Sequence, residues 1–398
     1  MNKLMIDDLE LEGKKVLMRV DFNVPLDENL KITDDVRITA ALPSIEKVIN
    51  DGGKLILMSH LGRPKGEVKS EFSLKPVSER LAELIKQDVK FANDCIGDEV
   101  EKLVDSLKNG EVLLLENVRF HKEETKNDED FSKKLAALGD VYVNDAFGSA
   151  HRAHASTKGV TKFIEKCAAG YLMQKELDYL GKAVANPQRP FTAILGGAKV
   201  ADKIPVIESL LKKVDSLVIG GGMAYTFLKA MDYPIGNSLL EKDKIKEVSG
   251  YLKKAETSNI ALLIPVDVVA AAEFKEDTDA VVVDVDVMPD DRMGLDIGPK
   301  SIKVFTEQIK LSKTIIWNGP MGVFEMEKFA NGTNAIAQAL VEATENGAVT
   351  IIGGGDSASA IKKAGLADKV SHVSTGGGAS LEFLEGKTLP GVAALSDK

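Results

Sequence analysis

The chain has 398 residues and a net charge of −10, from 51 basic and 61 acidic side chains. Its 44% hydrophobic and 28% charged residues describe a folded chain too long for one ordinary core, so two domains are expected. The acidic balance speaks against nucleic acid or an anionic membrane as partner, and a small anionic ligand would need a local basic patch.

In chain order, segment 1–15 mixes Asp7, Asp8, Glu10 and Glu12 among its apolar residues and lacks a signal peptide's apolar core. Short apolar runs follow at 16–22, 54–61, 112–117 and 141–146, separated by stretches long enough for crossover helices. Segment 172–185 is amphipathic, with Met173, Leu177, Leu180 and Val184 on one helical face. Pro187 and Pro190 end it. Further runs lie at 191–197, 216–221, 260–265, 280–284, 314–317 and 348–353. Runs this apolar suit parallel strands buried on both faces. The alternation predicts an α/β fold of two doubly wound, Rossmann-like parallel-sheet domains joined by a helix and hinge. The expected division is 1–171, a connecting helix 172–186, a second domain 187–375, and a tail 376–398. An ordinary crossover helix within one large domain is the other reading of 172–186. Segment 260–272, broken by Pro265 and Asp267, is too short to span a bilayer. Cys95 and Cys167 are the only cysteines and form no CxxC pair, which points to a reducing cytoplasm.

Ligands of open α/β sheets bind beyond the carboxyl ends of the strands, and the polar residues of this chain collect there. In the first half these are Asp21, Asn23, His60, Arg63, Arg119, His151, Arg152 and His154, with Arg37 after the first loop. Arginine forks suit carboxylate and phosphate, so this rim predicts a small, highly anionic ligand. His151 and His154 lack a third partner at metal-site spacing, which favours anion contact or plain structure over zinc. The second half carries glycine clusters instead, at Gly196-Gly197, Gly220-Gly221-Gly222, Gly353-Gly354-Gly355 and Gly376-Gly377-Gly378. Glycine allows close backbone approach, and a helix starting there aims free N–H groups at an anion. Lys199 and Lys203, four apart, are expected on one face of the first helical turns as a phosphate clamp. Asp356 is placed to hold Mg²⁺ carried by phosphates, and Ser357 to add a hydroxyl or cap its helix. No Walker loop is present. Gly353-x-Gly355-x-x-Ala358 fits the loose dinucleotide pattern, but no acid stands about 20 residues on to hold a ribose.

Several longer segments then fall into one pattern: RVDFNVP at 19–25, SHLGRP at 59–64, ENVRF at 116–120 and NDAFG at 144–148. LGGAKVADK at 195–203, GGGMA at 220–224, WNGP at 317–320, GVFE at 322–325, GGGD at 353–356 and TGGGAS at 375–380 continue it. Through essentially its whole length the chain resembles the phosphoglycerate kinases. The resemblance implies a cytoplasmic, monomeric glycolytic enzyme that moves a phosphoryl group between 1,3-bisphosphoglycerate and ADP with Mg²⁺. It implies that Asp21, Asn23, Arg37, His60, Arg63, Arg119 and Arg152 hold the phosphoglycerate. Lys199, Lys203, Asn318, Glu325, Asp356 and Ser357 would hold Mg-nucleotide with the glycine loops, Glu325 near the ribose, Pro320 and Gly220–Gly222 near the base. Catalysis would fall to Arg37, Lys199 and the backbone at Gly376 and Gly377. The tail after Gly376 is expected to pack on the first domain. A non-catalytic phosphometabolite-binding protein and an NAD-dependent oxidoreductase are the alternatives.

Overall fold

A computed structural model describes residues 2–398. The chain divides into two compact units, of which the first runs to Asp178 and resumes from Thr388 to Lys398, and the second is Tyr179–Lys387.

The first unit is built on six strands: β1 (Lys15–Arg19), β2 (Lys54–Met58), β3 (Val89–Phe91), β4 (Val112–Leu114), β5 (Val141–Asn144) and β6 (Cys167–Ala169). They lie in the order β3-β4-β2-β1-β5-β6, all parallel. Both faces of the sheet are covered, which is why its strands read as unbroken apolar runs. Val16, Met18, Leu55 and Leu57 pack with Ile38, Ile45 and Val48 of the helix Val36–Asn50. Leu17, Ile56, Leu113 and Tyr142, which alternate with them, are also fully buried. Connections leave β1 toward β2 on one side and enter β5 on the other, so the strand order reverses at the β1/β5 boundary. The carboxyl ends there form a crevice by topology alone.

The tail closes this unit. Leu389, Val392 and Leu395 are buried, and the Ser396 N–H donates to the Cys167 carbonyl at 2.9 Å. The part of the tail that joins the first unit begins at Thr388, while the helix Gly378–Leu384 packs on Ile204–Leu210 in the second.

The second unit has β7 (Phe191–Leu195), β8 (Ser216–Ile219), β9 (Ala261–Leu263), β10 (Asp267–Ala271), β11 (Ala280–Asp284), β12 (Met293–Ile297), β13 (Thr314–Asn318), β14 (Val349–Gly353) and β15 (His372–Val373). Six of these make a parallel sheet, β15-β14-β13-β7-β8-β9, whose order reverses between β7 and β13. Ile194, Ile315 and Trp317 pack there with Phe305, Ile336 and Leu340. The run 280–284 is a correction to the sequence reading. It forms an antiparallel edge strand in a separate three-stranded sheet, β11-β10-β12, with Val282 55% exposed. Its valines reflect β-propensity on a half-wet ribbon rather than burial on both faces. Among the described residues, no helix is long and apolar enough to cross a membrane.

Candidate active site

In the first unit every predicted residue but Arg37 follows a strand's carboxyl end. Asn23, after β1, accepts the Gly62 N–H on Oδ1 at 2.8 Å. The Arg37 guanidinium donates to Asp21 Oδ1 at 3.1 Å and to the Asn23 carbonyl at 3.2 Å. Arg119, after β4, donates to the Gly62 carbonyl at 2.9 Å. Gly62 is therefore held from both sides, in a left-handed conformation (φ +60°). Asn117 braces the same loop, donating to the Leu61 carbonyl at 2.7 Å and the Phe72 carbonyl at 2.9 Å. Arg63, Lys65, Arg119, His121, Lys122 and Arg152 line a cavity of about 460 Å³.

This rim is electrostatically unbalanced. Burial, with Arg19 and Arg152 nearby, lowers Arg119 to about 10. Burial and the surrounding arginines push His60 well below the ordinary histidine value and take His154 to about 4. The Arg119 Nε–H is buried with no hydrogen-bond partner among the described residues. A buried charged donor left unpaired is costly, and an anion in the cavity relieves it. Of the two histidines weighed as metal ligands, His151 accepts from Arg152 Nε at 3.1 Å, and His154 lies 3.7 Å from Glu124 Oε1.

In the second unit three loops are tied together at the β7/β13 reversal. Gly196 N–H donates to the Asn318 carbonyl, Gly197 N–H to that of Pro320, and Gly221 N–H to that of Met321, each at 3.0 Å. Gly221 adopts φ +67°, and a Cβ there would sit 2.6 Å from Gly197 N and 2.8 Å from the Pro320 carbonyl oxygen. Only glycine fits. Lys203 donates to Asn318 Oδ1. Lysine cannot accept, so this bond fixes the amide's orientation and leaves Nδ2 on the other side. Asn318 Nδ2 is buried with no partner among the described residues, close to Gly354. Burial lowers the Lys203 ammonium, with Asp356 and Asp202 opposing.

Three local expectations change. Lys199 lies exposed in the loop after β7, whereas Lys203 ends a short 3₁₀ turn, Ala201–Lys203, so no common helical face joins them. Ser357 neither caps the helix Gly355–Lys363 nor points to solvent: its buried hydroxyl oxygen accepts the Gly319 N–H. The Gly376 N–H is already donated to Ser374 Oγ at 3.1 Å. Asp356 is exposed on the first turn of Gly355–Lys363, Glu325 is exposed, and Pro320 is buried. Gly353 ends β14, and Gly354 and Gly377 take positive φ where a helix begins.

Arg19, Glu124, Ser156 and Glu241 are absent from the predicted set yet shape the site. The Glu241 carboxylate accepts the Val200 and Ala201 N–H groups and so holds the lysine loop. Forty residues separate these partners, and no local pattern signals the pairing. Arg19 lies inside the 19–25 segment, where an arginine closing an apolar run is the available signal.

The family model for phosphoglycerate kinase matches residues 6–387. Phosphoglycerate kinases of Chloroherpeton thalassium and Chlorobaculum tepidum are 60% and 59% identical over 397 residues, covering 100% of both chains in each case. Among solved structures, the phosphoglycerate kinase of Coxiella burnetii superposes with a TM-score of 0.90 at 42% identity over 98% of each chain. That of Pyrococcus horikoshii gives 0.85 at 32%, with the same coverage. In sequence and in fold, then, this chain belongs to the phosphoglycerate kinase family.

Proposed function

We propose that the chain catalyses reversible phosphoryl transfer between 1,3-bisphosphoglycerate and ADP, giving 3-phosphoglycerate and ATP in glycolysis. The observation that carries this reading is a pair of orphaned buried donors, Arg119 Nε on the arginine rim and Asn318 Nδ2 among the glycine loops. Each unit thus offers an unmet donor to an anionic ligand, and the two sites differ as a compact phosphoglycerate and a nucleotide differ.

Asp21, Asn23, Arg37, His60, Arg63, Arg119 and Arg152 bind the phosphoglycerate, with the arginines on its anionic ends. Lys203, Asn318, Ser357 and the Gly353–Gly355 turn receive the nucleotide phosphates, while Gly220–Gly222, Pro320 and Glu325 receive its base and ribose. Exposed Asp356, a hard oxygen donor near the Lys203 ammonium, suits Mg²⁺ that arrives bound to phosphates, since one carboxylate is too few to hold it alone. The ion supplies charge neutralisation on the phosphate oxygens. Neither the acyl carboxylate nor the ADP phosphate must lose a proton near neutral pH, so no general base is required. Catalysis is alignment and charge stabilisation. Arg37 on the phosphoglycerate side and Lys199 on the nucleotide side supply that charge, with backbone N–H groups at Gly376–Gly377; Gly377 is the freer donor, because Ser374 engages Gly376. The same reading makes the enzyme a monomer in the cytoplasm, where the unbridged thiols of Cys95 and Cys167 stay reduced.

A coupled assay tests it: 3-phosphoglycerate, Mg-ATP, NADH and glyceraldehyde-phosphate dehydrogenase, with NADH followed. Loss of NADH that needs both substrates and stops with EDTA is expected. Folded protein without that activity, yet stabilised against heat by 3-phosphoglycerate, would return the chain to a binding role.

A further inference from the structure

Behind His60 runs a line of buried polar groups that substrate contact alone does not explain. Arg19, at the end of β1, is fully buried. It donates to His60 Nδ1 at 2.9 Å, to the Val20 carbonyl, and through Nε to Ser156 Oγ at 2.9 Å. The Ser156 hydroxyl donates to Glu124 Oε1 at 2.6 Å, and the Ser156 N–H to Oε2 at 2.9 Å. Glu124 is fully buried as well.

Each bond has one possible direction. A guanidinium has only donors, so His60 Nδ1 must accept and carries no proton. The serine proton is committed to the carboxylate, which leaves an oxygen lone pair for the Arg19 Nε–H. Burial, reinforced by Arg19, Arg119, Arg37 and Arg152, keeps the imidazole neutral. A neutral ring with a bare Nδ1 holds its one proton on Nε2.

We propose that Glu124 and Ser156 are positioning residues for phosphoglycerate binding: through Arg19 they lock His60 as the Nε2–H tautomer, a fixed neutral donor for the anionic substrate. The proposal rests on the phosphoglycerate reading of this rim. A neutral donor gives the substrate a hydrogen bond without adding a further positive charge to the arginines while the site is empty. Glu124 answers the buried charge of Arg19, which without a counter-charge would be strongly destabilising there. A single hydroxyl between the two fixes the guanidinium plane, and with it the direction of the bond to His60.

Histidine-selective ¹⁵N NMR on the full-length protein without ligand reads the tautomer directly, the His60 signal being identified by its loss in His60→Gln. A bare Nδ1 and a protonated Nε2 are expected. An Nδ1–H or doubly protonated ring in the wild type overturns the proposal, whatever the variants do. Ser156→Ala should spread His60 over both tautomers and raise KM for 3-phosphoglycerate about tenfold, the scale of one charge-assisted hydrogen bond, with kcat falling less than about threefold. Ser156→Thr, which keeps the hydroxyl, should restore both readouts where it folds. A folded Ser156→Ala protein with unchanged tautomer and KM, even if less stable, reduces the line to structure and refutes the proposal. Wild-type protein that does not turn over 3-phosphoglycerate would remove the functional reading while leaving the NMR result standing, so the two failures are separable.

Discussion

Lys199 and Lys203 share a motif but not an environment. Lys203 is half-buried and spends a hydrogen bond on Asn318, so its removal strips a loop tie as well as the phosphate contact proposed for it. Lys199 is exposed on a loop that Glu241 holds by its backbone. Its side chain is free to follow the transferred phosphoryl group, and Lys199→Ala is expected to lower kcat roughly 10²–10³-fold, the scale of losing one oxyanion donor. The urea midpoint should hold, because an exposed lysine contributes little to folding. Near-normal kcat in that variant would move the catalytic charge elsewhere. Gly221→Ala is the contrasting case. The new Cβ meets backbone rather than a yielding side chain, so nucleotide KM should rise and stability should fall by about 1–3 kcal/mol. Thermal shift with and without Mg-ATP checks both. The identities of these residues were legible from type and motif. Their placement was not: a four-residue spacing implies a shared face only if the segment is helical, and tertiary pairing with Glu241 holds it as a loop.

At the scale of elements, strands were legible where burial on both faces wrote an unbroken apolar run, as in β1, β2, β5, β7, β13 and β14. They were not legible at β3, β6 and β15, whose two or three residues, unlike those of β4 and β9, are not embedded in a longer apolar run. The run at β11 misled because valine suits any pleated surface. The amphipathic helix Tyr171–Ala185 was readable from its period, but the buried carboxylate at its start was not. Asp145 accepts the Met173 N–H at 3.1 Å, and burial raises its pKa from 3.8 to about 6. The unfolded chain gives up this proton near 3.8 and the folded protein near 6, so between them the folded state holds more protons. Stability therefore falls as pH rises through that window, and the whole penalty is present above it. Asp145→Asn keeps an acceptor for Met173 and cannot ionise. Relative to wild type, the variant should gain about 2 kcal/mol between about pH 4 and pH 7, at 1.36 kcal/mol per pKa step. Urea titrations at both ends measure the difference, which cancels the other carboxylates. A pH-independent difference would mean that Asp145 titrates alike in the folded and unfolded chain, so that burial does not raise it.

For the whole molecule, an acidic chain concentrates its arginines where one strand order reverses and its glycine loops where the other does. The first of these units is not contiguous in sequence. Hydrophobic periodicity says nothing about which sheet a terminal segment will join, so the tail's destination came only from family resemblance, and its starting point from the fold. The tail is integral to the first unit. Leu4 N–H donates to the Ser396 carbonyl at 2.8 Å, Gly391 N–H to that of Ala150 at 2.8 Å, and Asn144 Nδ2 to that of Gly391 at 3.3 Å. Leu389, Val392 and Leu395 bury apolar surface at about 1.5–3 kcal/mol each, so deleting 388–398 forfeits an amount comparable with a typical domain's stability of about 5–15 kcal/mol. The deletion should abolish heat stabilisation by 3-phosphoglycerate. Trp317, the only tryptophan, lies in the second unit, so its fluorescence follows that unit's unfolding. Stabilisation by Mg-ATP, read at Trp317, should survive because no residue of 388–398 belongs to that unit. A truncated chain that still responds to 3-phosphoglycerate would show that the arginine rim holds without the tail, and loss of both responses would show that the second unit depends on the first.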